Sequence, residues 1–174
     1  MSDTYYVKTF GGLEITNDNV TVNIVELFGK QLVNLLQVLL FHSEKPVQKD
    51  ELIDILWPES KNPSSALKFS IFRLRSELNE IDFFKDKEVI VTTRKGYILN
   101  PNLDWNIDFV ELEKAYNQIN EGAELLDEKE FKIARKIFRL YQGRFYASPS
   151  QLHWILQKQE VFRQMYVKTM MRTS

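Results

Sequence analysis

The sequence predicts an α+β chain in two parts: strands and helices from 1 to 101, then helices alone from 102 to 174. Three observations carry this. Strand-like segments rich in β-branched and aromatic residues fall only in the first twenty-odd residues and in "EVIVTTRKGYIL". From Lys30 the apolar residues recur with a helical period. Past Asn100-Pro101 every apolar pattern is helical.

The first strands are short. "YYVKTF" is β-rich, "GLEI" follows the Gly11-Gly12 break, and "VTVNI" follows the turn signal Asn17-Asp18-Asn19. Strands this short need partners, so a small antiparallel sheet is expected. The first helix then places Leu32, Leu35, Leu36, Leu39 and Leu40 on one wide apolar face. Pro46 ends the connector, and "KDELIDILW" sets Leu52, Ile55 and Leu56 on a second stripe. "PESKNP" is a loop between two prolines.

The helix Asn62 to Asn79 has two faces. Asn62 is a suitable N-cap and Pro63 suits the first helical position. Leu67, Ile71, Leu74 and Leu78 make one buried stripe. Phe69 and Phe72 lie near the opposite side, with Ser65, Arg73 and Ser76. A polar-aromatic connector leads to two short strands around Arg94-Lys95-Gly96, where glycine suits a tight hairpin turn.

The second part predicts three helices. Phe109, Leu112, Tyr116 and Ile119 mark the first. Asp127 and Glu130 have the spacing of a capping box for the second, whose stripe is Phe131, Ala134, Ile137, Phe138 and Tyr141, ending near Gly143. Ser148-Pro149 opens the third, which aligns Trp154, Val161, Phe162, Met165 and Tyr166. That helix reaches the terminus without a C-cap. Three helices bury little by themselves, so they are expected to pack either on the first domain or on further helices beyond the last one, as in a truncated chain.

Composition narrows the chemistry. Hydrophobic residues make up 44% and charged ones 27% of 174 residues, a globular balance. No apolar run approaches the roughly 20 residues of a membrane span, and "MSDTYYVKTF" lacks the charge and core of a signal peptide. There is no cysteine, hence no disulfide and no thiolate metal site. A cytoplasmic protein is expected. His42 and His153 are far apart in sequence, carboxylates are scattered on polar helix faces, and Gly11-Gly12 has no phosphate-loop continuation. Neither an enzyme nor a metal or other cofactor is expected.

Net charge is -1, so any nucleic-acid footprint must be local. One is present: Lys61, Lys68, Arg73 and Arg75 stand against Glu77 alone, and Arg94 and Lys95 form a second basic spot. The order sheet, helix, helix, helix, hairpin is the plan of a winged helix-turn-helix. There the third helix enters the major groove and the hairpin tip reaches phosphates or the minor groove. On that plan Arg73 contacts a base or a phosphate; the alternative for it, as for Arg75, is a solvated charge on the helix surface. Phe69 and Phe72 either touch thymine methyls or pack under the wing or the loop. Ser65 and Ser76 offer hydrogen bonds to bases or phosphates. Arg75, nearer the core edge, makes either a phosphate contact or an internal ion pair.

"KPVQKDELIDILWPES", "ALKFSIFRLRSEL" and "VIVTTRKGYIL" together resemble the OmpR/PhoB-type winged-helix DNA-binding domain: a helix ending in tryptophan, a recognition helix with R-L-R, and a wing ending in G-Y. "FGGLEI" and "NPSSALKFSIFRLRSEL" look more like the SARP-type regulators. In those, this domain precedes a TPR-like bacterial transcriptional activation domain, which "DFVELEKAYNQI", "ARKIFRLYQGRFY" and the Trp154, Phe162, Tyr166 series also resemble. The resemblance implies a winged-helix domain over 1–101 and the first part of an activation domain over 102–174.

It also implies roles. Lys49 and Trp57 look like backbone-phosphate contacts. Lys68, Phe69, Phe72, Arg73 and Ser76 fall on the recognition helix, with Arg75 the second arginine of R-L-R. Thr93, Arg94 and Lys95 form the wing. The loop with Glu59, Ser60 and Lys61 corresponds to the segment that approaches RNA polymerase in relatives. Double-stranded DNA carrying promoter repeats, RNA polymerase and a second copy bound head-to-tail on DNA are the implied partners, and activation the implied outcome. Two departures stand out: Phe72 where serine or arginine is common, and Gln48 in place of a capping serine.

Overall fold

Strand β1 (Thr4–Lys8) pairs antiparallel with β2 (Glu14–Asn17), and β2 with β3 (Val20–Asn23). Tyr6 faces Thr16 and Ile15 faces Val22. Tyr5 and Val7 are buried while Tyr6 is exposed, the alternation of a half-buried strand. These features belong to a computed structural model that describes residues 4–119, 126–147 and 152–173. Ser148-Pro149, expected to open the last helix, lie outside the described residues.

The sheet has a fourth strand that the sequence reading missed. Residues Asp104–Ile107 form a strand on the free edge of β1, giving the order β3-β2-β1-β6 once the wing strands below are counted as β4 and β5. The expectation of helices alone after residue 101 is therefore corrected: the first helix of the second part starts only at Asp108, and Phe145 later pairs with Phe10 in an isolated antiparallel bridge. The physical reason is the edge of β1, whose backbone groups gain partners, while the Trp105 ring lies 5.4 Å from that of Tyr5.

By contact the chain forms two units: Ile24–Asp104, and Met1–Asn23 together with Trp105–Ser174. This grouping differs from a cut between 101 and 102, because β6 and the following helix bring later residues onto β1.

The unit Ile24–Asp104 begins with a single turn, α1 (Ile24–Leu27), too short to leave a periodic signal. Helix α2 (Lys30–Phe41) buries all five predicted leucines. Helix α3 (Lys49–Leu56) starts at Gln48, whose side chain makes no capping bond, as the departure from serine implies. Helix α4 (Pro63–Asn79) has Pro63 in its first turn. Asn62 occupies the cap position, but its side chain caps nothing; its N–H instead donates to Ser60 Oγ at 3.2 Å, a correction to the capping role expected for it. A 3-10 turn at Asp82–Phe84 leads to the hairpin of β4 (Ile90–Thr93) and β5 (Gly96–Leu99). Leu36, Leu39, Leu52, Leu74, Phe84 and Leu99 are central to its core.

In the other unit, α5 (Asp108–Gln118) packs on β1 and on α6 (Glu128–Leu140), which packs on α7 (His153–Thr173). The capping box forms: Glu130 N–H donates to Asp127 Oδ1 at 2.8 Å, and Asp127 N–H to Glu130 Oε2 at 3.2 Å. An aromatic cluster fills the core, with Phe10 against Phe162 at 5.3 Å and Phe109 against Phe145 at 5.6 Å. Phe131 and Val161, expected on buried stripes, are exposed instead. Phe131 turns outward under the Arg135 guanidinium, 5.5 Å from its ring.

Asp108 is buried at the start of α5. Its Oδ2 accepts the N–H of Thr9 at 2.8 Å and of Phe10 at 3.1 Å, and its Oδ1 accepts the Thr9 hydroxyl. Burial raises this carboxyl above its ordinary value, and the hydrogen bonds only partly oppose that.

Candidate nucleic-acid interface

Helix α4 separates its faces as its 3.6-residue period demands. Leu67, Ser70, Ile71, Leu74 and Leu78 are buried. Ser65, Lys68, Phe69, Phe72, Arg73 and Ser76 are exposed on the other side. Phe69 is 61% and Phe72 69% accessible, so neither ring is packed under the wing or the loop. That settles one of the alternatives the sequence left open.

Arg73 lies on this face between two neighbours one turn away. Its Nη2 is 3.3 Å from Glu77 Oε1, and its guanidinium carbon is 5.9 Å from the Phe69 ring centre. Exposed pairs of this kind are worth about 0–1 kcal/mol, so they orient Arg73 without tying it up. Trp57, half-buried at the end of α3, lines a solvent-open concavity of about 450 Å³ with Phe69, Arg73 and Lys30. The loop residues Glu59, Ser60 and Lys61 are all exposed.

Arg75 is not in the internal ion pair that is one of its expectations. Its Nε and Nη2 donate to the carbonyl of Ile90 at 3.2 and 3.1 Å, and Nη2 donates to Thr92 Oγ1 at 2.7 Å. Its partners are a carbonyl and a hydroxyl rather than the carboxylate of an internal ion pair. The bond joins α4 to the first wing strand.

The wing is held from several sides. Thr93 Oγ1 donates to Gly96 O at 3.0 Å and accepts the N–H of Lys95 at 3.1 Å, so its hydroxyl closes the turn. Arg94 and Lys95 project from the tip and are exposed. Tyr97 exchanges two backbone bonds with Val47, at 2.8 and 3.0 Å. Exposed Lys49 and half-buried Arg75 carry their charges 5.9 and 6.0 Å from the Tyr97 ring centre. Tyr97 thus anchors the wing against the entrance to α3.

Two features escaped sequence reasoning. Gly96 does more than make the turn: a Cβ built there falls 1.9 Å from Val47 O. Lys87, exposed in the connector, lines a groove of about 370 Å³ beside Phe72 and Ser76. The only sequence signal for Lys87 was its charge in a connector. Among the described residues no group of three or more His, Cys, Asp or Glu could hold a metal ion, and no helix is long and apolar enough to cross a membrane.

Comparison with known proteins fits this geometry. The family described as "Transcriptional regulatory protein, C terminal" matches residues 23–99. Its members are transcription regulators, not enzymes. Among solved structures, Mycobacterium tuberculosis EmbR, in complex with a low-affinity phosphopeptide, superposes with a TM-score of 0.63 at 17% identity. The alignment covers 96% of this chain and 43% of that one, so this chain spans less than half of EmbR's length. Identity that low speaks for the fold alone. The DNA-binding domain of E. coli CadC aligns over 53% of this chain and 87% of its own, at 26% identity and a TM-score of 0.40. No match emerges among curated protein sequences. Residues 23–99 match the family of transcriptional regulatory protein C-terminal domains, the OmpR/PhoB-type winged helix, and the chain as a whole shares its fold with EmbR.

Proposed function

We propose that the chain is a sequence-specific regulator of transcription, an activator, that binds double-stranded promoter DNA with α4 in the major groove and the Thr93–Gly96 wing beside it. The observation that carries this is the split of α4: a complete buried stripe on one side, and on the other an exposed row of Ser65, Lys68, Phe69, Phe72, Arg73 and Ser76 with the exposed cations Arg94 and Lys95 in the same unit. Arg73 contacts a base or phosphate, and Lys49, Trp57, Arg94 and Lys95 contact the backbone. Arg75 supports the wing.

In this reading residues 1–101 act as the DNA-binding domain and 102–174 as part of an activation domain, in the cytoplasm. Two copies bind head-to-tail on direct repeats, and the exposed loop Glu59, Ser60 and Lys61 meets RNA polymerase. The test is fluorescence anisotropy with duplexes selected from random DNA, at several salt concentrations. Arg73→Ala and Arg94→Ala are expected to weaken binding, and Arg94→Ala to lower the salt slope by about one. Unchanged affinity and slope in both variants would remove the assigned surface.

A second reading is a winged helix that binds protein instead. The exposed Phe69 and Phe72 favour it, since aromatic rings in the open often mark partner surfaces. Absence of salt-dependent DNA binding, with a protein that co-purifies, would select it.

A further inference from the structure

The outer face of α4 offers bare phenyl rings as well as charge. We propose that Phe69 and Phe72 are specificity-determining residues that read the C5-methyl groups of thymines, with a guanine under Arg73 beside them. This rests on α4 lying in the major groove.

The argument starts from what a ring can meet there. Of the base edges in that groove, guanine, adenine and cytosine present hydrogen-bonding groups, whereas thymine adds an exposed methyl. A phenyl ring pressed on the polar edges strips water and returns no hydrogen bond, which is costly. Against a methyl the same ring buries apolar surface on both sides. Phe69 and Phe72 therefore select thymine partly by rejecting the other bases. Both rings are more than half exposed and free to make such contact.

Geometry constrains the site further. The rings are three residues apart, a rise of about 4.5 Å along the helix, close to the 3.4 Å spacing of stacked bases. They therefore cover neighbouring base steps. The Arg73 guanidinium sits 5.9 Å from the Phe69 ring centre, so a bidentate contact to guanine O6 and N7 falls next to the thymine under Phe69. The cations Lys68, Arg94 and Lys95 complement the phosphates.

The experiment separates this inference from the DNA-binding reading. Duplexes are first selected from random DNA. Thymines of the bound sequence are then replaced one at a time by deoxyuridine, which removes only the methyl. Affinity is measured by anisotropy for the wild-type chain, Phe69→Ala and Phe72→Ala; both residues are on the surface, and circular dichroism checks that each variant is folded. Uridine at one or two positions is expected to weaken wild-type binding about three- to tenfold. Each alanine variant is expected to lose that sensitivity at one position. If the wild type binds a selected duplex and no uridine replacement matters, the inference fails while the DNA-binding reading stands. Sensitivity that persists unchanged in both variants assigns the methyl contact to other residues and also overturns it. If no duplex is selected and no salt-dependent binding appears, the underlying reading falls and this inference with it.

Discussion

Arg75 grips the carbonyl of Ile90 twice, through Nε at 3.2 Å and Nη2 at 3.1 Å, and so fastens α4 to the first wing strand. A charged donor on a carbonyl contributes about 1.5–3 kcal/mol, and only the planar fork of arginine makes both bonds. Arg75→Lys is therefore expected to lower unfolding stability by about 1–2 kcal/mol in urea titration. DNA affinity should fall as well, through a loosened wing, with the salt slope unchanged. A slope reduced as in Arg94→Ala would instead make Arg75 a phosphate contact.

Gly96 is the other fastening of the wing. Its φ is +140°, and an added Cβ would lie 1.9 Å from Val47 O and 2.6 Å from Val47 C. Both obstacles are backbone, held by the Val47–Tyr97 bonds, so neither swings aside. Gly96→Ala is expected to cost on the order of 3 kcal/mol in chemical denaturation. A loss below about 1 kcal/mol, the ordinary cost of a tolerated glycine change, would mean that the Val47 segment yields.

Periodicity made the two faces of α4 legible, because burial at Leu67, Ile71, Leu74 and Leu78 is written in their spacing. The hairpin was legible from its β-rich arms and its glycine. What the glycine touches was not, because Val47 lies far up the chain and no local pattern records it. Strand β6 was invisible for a similar reason: "DWNI" has two β-disfavoured residues in four, and only the edge of β1 makes it a strand. Phe131 and Val161 fit helical stripes, yet periodicity gives a face without saying whether anything covers it. Arg75 shows the same limit in polar chemistry, since its charge is readable and its carbonyl partner is not.

Glu77 is the acid on the α4 surface that pairs with Arg73, at 3.3 Å. An exposed i,i+4 pair contributes about 0.3–0.5 kcal/mol. Glu77→Gln should hardly move the unfolding midpoint. It removes a negative charge near the proposed DNA surface and releases Arg73. Affinity for a selected duplex is expected to rise about two- to fivefold at low salt, and the gain to shrink as salt screens it. Weaker binding would show that Glu77 is needed to aim Arg73.

Asp108 gives a prediction in pH. Burial raises its carboxyl above the ordinary range, while Thr9 and Phe10 donate to it and limit the rise. A folded-state value above the unfolded one means that the native chain binds this proton more readily. The associated stability is full below about 3.9, the unfolded value, and is lost as pH rises through the folded value. Asn at this position does not titrate and cannot accept from both Oδ atoms. Asp108→Asn is expected to be less stable at pH 7 by about 1–3 kcal/mol, having left a buried donor unpaired. Because the wild type alone gains from protonation at this site, the gap should widen as pH falls through the folded value towards about 3.9. Urea titrations of both proteins across that range supply the check, since the other carboxylates cancel in the difference. A gap that closes in acid would show that the hydrogen bonds from Thr9 and Phe10 outweigh burial.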